Sequence, residues 1–105
     1  MKLEAKKLLL DVIEACQDIV EFTGRIALNE YLANELVRAA VERKFEIIGE
    51  ALVRLREKDP VTFSKITAGR QAVAFRNRLI HGYDVIDHET MLNFFFIPES
   101  VSADT

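Results

Sequence analysis

The stretch RNRLIHGYD, residues 76–84, gathers two guanidiniums, a carboxamide, an imidazole and a phenol within nine positions. An imidazole with an ordinary pKa of about 6.5 exchanges protons at neutral pH. A guanidinium fork binds phosphate oxygens and meets the charge that builds on them in a transition state. Together they suit metal-independent cleavage of RNA, with His81 taking a proton from a ribose 2′-hydroxyl or giving one to the leaving oxygen, and Arg76 holding the phosphate. DNA lacks that hydroxyl, so such chemistry selects RNA.

Spacing constrains how these groups could meet. Arg76 and His81 are five apart, which on a continuous helix separates them by about 140° in azimuth and about 7.5 Å along the axis. Asn77 and Arg78, four and three residues before His81, share its face. A phosphate held by both Arg76 and His81 therefore needs either an unwound helix before Gly82 or two copies of the chain facing one cleft across a two-fold axis. Plainer roles exist for each residue. His81 could interact with the last carbonyls of a helix, Arg76 could pair with Glu46 or Glu50, Tyr83 could be a core-edge aromatic, and His88 has the setting of a surface residue.

The elements that would carry these residues are helical. Leu9, Val12, Ile13, Cys16, Ile19 and Val20 recur at three and four, which predicts a helix ending near Thr23-Gly24, where a left-handed glycine cap is expected. A second helix is expected from about Asn29 or Tyr31 through Leu55, with Gly49 inside it to admit a crossing backbone. Asp59-Pro60 reads as an N-cap and first-turn proline, starting a short turn through Phe63. Thr67 is expected to open a third helix that stops at Gly82, and Asp87 to cap a fourth from His88 to about Phe96. The expected fold is all-α, an up-down bundle of about four helices, with residues 1–97 as the domain and 98–105 as a tail.

Composition agrees. The chain has 105 residues, half of them hydrophobic and 30% charged, with only four glycines and two prolines. This is the make-up of one small helical domain. Its net charge of -3 repels polyanions overall, so a nucleic-acid contact requires a local patch. No acidic residue lies between Asp59 and Asp84, where Lys65, Arg70, Arg76 and Arg78 stand. The single cysteine, Cys16, excludes an intrachain disulfide and suits a reducing compartment. Asp11 and Glu14 interrupt the N-terminal apolar run, no stretch reaches the roughly 20 apolar residues of a membrane span, and a cytoplasmic location is expected. The two histidines, seven apart with Asp84 and Asp87 between them, match no compact metal-ligand spacing. There is no phosphate-binding glycine loop, and no metal or cofactor is expected.

In VERKFEIIGEAL, residues 41–52, and RNRLIHGYDVID, residues 76–87, the chain resembles the HEPN superfamily, in particular its HepT-like branch of small toxins encoded beside minimal nucleotidyltransferases. The second stretch carries that family's pattern of arginine, four residues, histidine, one residue, tyrosine at Arg76, His81 and Tyr83. The likeness spans roughly residues 5–95. It implies a dimerising helical bundle with a metal-independent RNase site between protomers, Arg76 and His81 catalytic, and Asn77 and Arg78 supporting or binding RNA. It further implies a MntA-like nucleotidyltransferase antitoxin that silences the toxin by adenylylating (AMPylating) Tyr83, whose added phosphate would occupy the cationic cleft. On this reading Glu46 and Glu50 orient the arginines from behind. One departure is the ending MLNFFFIPESVSADT, where relatives continue in a longer amphipathic helix. The three phenylalanines Phe94 to Phe96 there point in different directions on a helix.

Two other functions compete with a ribonuclease toxin. One is a non-catalytic nucleotide- or substrate-binding subunit of a nucleotidyltransferase complex, and the other is a helical interaction module without a ligand. The intact pairing of Arg76 with His81 favours the toxin.

Overall fold

Apolar spacing and capping residues divide the chain into five helices over the residues that the computed structural model describes, 2–24 and 26–81, with backbone alone at His81. They are α1 (Leu3–Thr23), α2 (Leu28–Ala33), α3 (Glu35–Lys58), α4 (Pro60–Ser64) and α5 (Gly69–His81). No strand occurs among the described residues. The all-α expectation holds, and the region expected to form a fourth helix, from His88, lies outside them.

α3 is the central element. Its buried residues Val41, Phe45, Ile48, Gly49, Ala51, Leu52 and Leu55 cover about 160° of its circumference at 3.6 residues per turn. That stripe is wide enough for a helix on each side. α1 takes one side, burying Ala5, Ala15 and Ile19, and α5 takes the other through Ala72 and Val73. Complete burial of side chains such as Ile19, Phe45, Leu52 and Leu55 stabilises the fold by about 1.5–3 kcal/mol each relative to exposure.

The register of α1 against α3 is marked by two ion pairs, Glu4 with Lys58 at 3.3 Å and Asp18 with Lys44 at 2.7 Å. An early residue of one helix meets a late residue of the other in each case, so the helices run antiparallel. Both pairs are solvated, and pairs of this kind contribute at most about 1 kcal/mol. They set alignment more than stability.

Three local expectations are corrected. The second helix is not continuous from Asn29 or Tyr31: Asn34, with φ -101° and ψ 96°, ends α2 and caps α3, its side chain accepting from the Val37 amide at 3.0 Å. Apolar spacing runs through this break unchanged, because α2 is itself one amphipathic turn and a half. Gly24 ends α1 in the right-handed region, at φ -62° and ψ -19°, not the left-handed one. A Cβ there would lie 2.7 Å from the Val20 carbonyl oxygen, so glycine serves close approach and not handedness. The third long helix starts at Gly69, two residues later than Thr67.

Asp59-Pro60 behaves as its chemistry requires. Asp59 Oδ1 accepts from the Thr62 amide at 3.1 Å and Oδ2 from the Thr62 hydroxyl at 2.7 Å, and these bonds to Thr62 hold its carboxyl below the usual pKa. Their stabilisation is present at neutral pH and fades as acid protonates Asp59. The capped turn reverses the chain so that α5 returns across α3.

Candidate active site

α5 is seated on α3 by two contacts from the sequence VERKFEIIGEAL. The rings of Phe45 and Phe75 meet with centroids 6.3 Å apart, tilted by 60°, a favourable aromatic geometry. One turn further along α3, Gly49 lies so close to α5 that an added Cβ would sit 2.1 Å from Arg76 Cβ, 2.6 Å from its Cγ and 3.2 Å from the Ala72 carbonyl oxygen. Gly49 therefore admits a crossing helix, as its place in an otherwise good helix suggests, and what fills the gap is the stem of Arg76.

Arg76 is half-buried. Its Nη1 donates to Asn77 Oδ1 at 2.8 Å, while Nε is buried and has no hydrogen-bond partner among the described residues. A buried donor left unmet costs about 1–3 kcal/mol, more when charged. Among the described residues it forms no salt bridge with Glu46 or Glu50: Glu46 instead pairs with Arg43 at 3.0 Å. The pairs of Arg76 with Glu46 or Glu50 that the sequence leaves open are therefore not formed in this structure.

The opposite side of α5 faces water. Arg70, Ala74, Asn77 and Arg78 are all exposed, and His81 is the last residue of the helix. Its backbone falls on the azimuth of Arg70, Ala74 and Asn77, because steps of four, three and four return to one face. The structure thus joins Arg76 to Asn77, sets Arg78 on the exposed side, and carries a continuous helix through to His81, with no unwinding before it. Gly82, Tyr83, Asp84, Asp87 and His88 lie outside the described residues. Among the described residues no group of three or more His, Cys, Asp or Glu could hold a metal ion, and no helix is long and apolar enough to cross a membrane.

A helical bundle with an arginine seated beneath the motif helix, followed at the helix end by histidine, is the arrangement of one class of all-α proteins, and comparison with known families agrees. The family described as "Ribonuclease HepT-like" matches residues 12–95. The chain belongs to this HepT-like family of the HEPN superfamily. Among its relatives is "Putative RNase MJ1380" of Methanocaldococcus jannaschii, 38% identical over 87 residues, covering 83% of this chain and 79% of the relative. "Putative RNase MJ1216" of the same organism is 35% identical over 94 residues, covering 86% and 74%. "Probable ribonuclease HepT" of Thermococcus cleftensis is 34% identical over 90 residues, covering 83% and 78%. No solved structure matches the chain significantly.

Proposed function

We propose that the chain is a metal-independent endoribonuclease, the toxin of a toxin and antitoxin pair, acting as a homodimer. The observation that carries this reading is the Arg76 guanidinium: its stem packed on Gly49 and its exposed Nη1 held by Asn77, it is a fixed cationic donor one helical turn and a half before His81. The family and the ribonuclease names of its relatives support the same reaction class.

In this mechanism the His81 imidazole accepts the proton of a ribose 2′-hydroxyl. The 2′-oxygen attacks the adjacent phosphorus, the bond to the 5′-oxygen breaks, and that oxygen leaves with a proton from an imidazolium or water, giving a 2′,3′-cyclic phosphate and a 5′-hydroxyl end. Arg76 stabilises the charge on the non-bridging oxygens. The helix runs unbroken between the two residues, about 140° and 7.5 Å apart, so the site is built at a two-fold axis where the arginine of one protomer meets the histidine of the other. Exposed Ile80 on α5, 44% accessible, supports a contact there. Tyr83 is the adenylylation site for a MntA-like nucleotidyltransferase antitoxin, and the cytoplasm is the location such RNA chemistry suits.

The test is cleavage of single-stranded RNA in chelator by the purified protein, its loss in His81→Ala, and partial recovery when His81→Ala and Arg76→Ala protomers are mixed. Recovery is expected because a mixed dimer that exchanges residues across the axis retains one whole site. Equal cleavage by wild type and His81→Ala would remove the enzyme, and RNA binding without any cleavage would favour a non-catalytic binding subunit. Nucleotide mass added to Tyr83→Phe by the cognate transferase would refute the modification site.

A further inference from the structure

Beyond the motif helix, a groove of 650 Å³ opens where the end of α3, the turn α4 and the start of α5 meet. That volume is within the range of about 300–1,000 Å³ that holds small ligands. Arg56, from the last turn of α3, and Arg70, from the first turn of α5, both line it. They are fourteen positions apart and are brought to one groove only by the Asp59-Pro60 reversal. Arg56 lies over the Phe63 ring at 5.7 Å from its centroid, which restricts the guanidinium while leaving its N–H edge available. Neither arginine forms a salt bridge among the described residues, and no acidic residue occurs from Pro60 through Tyr83 to neutralise them. The groove between them has an apolar wall of Phe63 and Ile66 and the polar side chain of Thr67.

Two uncompensated guanidiniums beside an apolar wall match the two parts of a nucleotide, its phosphate and its base. The groove also lies on the path to the motif. Arg70 and His81 are separated by three turns, about 16 Å of helix, and the exposed residues between them on that face are Ala74, Asn77 and Arg78. Ala74 presents only a methyl group and Arg78 a further cation, which suits a strand laid along the helix.

We infer that this groove is a subsite for single-stranded RNA, in which Arg56 and Arg70 hold a phosphate and Phe63 with Ile66 supports a base, about three helical turns from the phosphate that is cut. The inference rests on the ribonuclease reading for the choice of polymer, but its test is separable. Binding of a labelled single-stranded oligonucleotide is measured with full-length His81→Ala, so that cleavage does not enter. Adding Arg70→Ala should weaken binding about tenfold, the effect of losing one charge-assisted phosphate contact. Adding Arg56→Ala as well should lower the slope of log affinity against log salt by about 0.7, the share of the one phosphate that the two arginines hold on a single strand. Lys7→Ala, on exposed α1 away from the groove, should change neither. With His81 intact, the double variant should lose the preference for longer RNA over a dinucleotide.

Unchanged affinity and slope in the double variant would overturn the inference, as would equal weakening by Lys7→Ala, which would show general charge attraction. Loss of binding to an acidic protein with RNA affinity intact would overturn it too. Arg70 is exposed and unpaired among the described residues, so Arg70→Ala alone keeps the test valid should Arg56→Ala disturb Phe63. If the wild type cuts no RNA but the binding losses are found, the catalytic reading fails and the subsite stands.

Discussion

The two flanks of α3 are built on different terms. Against α1 the contact is apolar, with Ala5, Ala15 and Ile19 buried and solvated ion pairs at either end. Against α5 the helices approach over a glycine, and an arginine whose buried Nε has no partner among the described residues sits in the seam. The first contact has the make-up of a core whose task is stability. The second accepts a local penalty to hold a charged group in a fixed place, which is the pattern expected where binding or chemistry sets the residue choice.

Substitutions can break or sharpen that contrast. Phe45 is fully buried in the core that both flanks share and is in ring contact with Phe75, and Phe45→Ala should lower unfolding free energy by about 3–5 kcal/mol in denaturant titration. The loss should exceed that of any change confined to the α5 seam. Tyr31 tests the ordinary side of the molecule. Burial, and then the charge of Glu42, push its phenol up from 10.0 to about 12. The folded state thus keeps a proton that the unfolded chain releases first. Its contribution is complete below pH 10 and is lost as pH rises from 10 to 12, by about 2–3 kcal/mol; Tyr31→Phe should flatten that part of the stability profile, and an unchanged profile would refute the assignment.

Gly49→Ala gains about 1 kcal/mol of helix propensity but forces Arg76 and α5 outward, at about 1–3 kcal/mol. A net loss of about 1 kcal/mol is expected, with RNA cleavage falling much further than the population of folded protein. Similar losses in both would make Gly49 a packing residue only. Arg76→Met keeps the stem and deletes the unmet donor, so stability should stay level or rise by about 1 kcal/mol while cleavage disappears. A strong destabilisation would show that Arg76 belongs to the structural flank after all.

How far these features could be read in the sequence depends on whether they are local. Periodicity places α1 and α3, Asp59-Pro60 announces α4, and Gly49 signals a close crossing, because each follows from a few adjacent residues. The break at Asn34 is hidden, since its cap bond to Val37 leaves apolar spacing intact on both sides. The five-residue interval from Arg76 to His81 states that they cannot share a helix face, but not that Arg76 turns toward Gly49 or takes Asn77 as its partner. Those facts require the position of α3. Arg56 carries no signal in the sequence, because its meeting with Arg70 depends on the angle of the α4 reversal and leaves no spacing to find.

The exposed end of the Arg76 guanidinium also has a practical outcome for anyone handling the protein. An oxyanion that reaches it binds the folded chain and not the unfolded one, so sulfate or phosphate in a storage solution should raise the melting temperature, by up to about 2.7 kcal/mol of apparent stability at a hundredfold excess over its dissociation constant. The same occupancy would compete with substrate, so the solution in which the protein keeps best would be a poor one for assaying it.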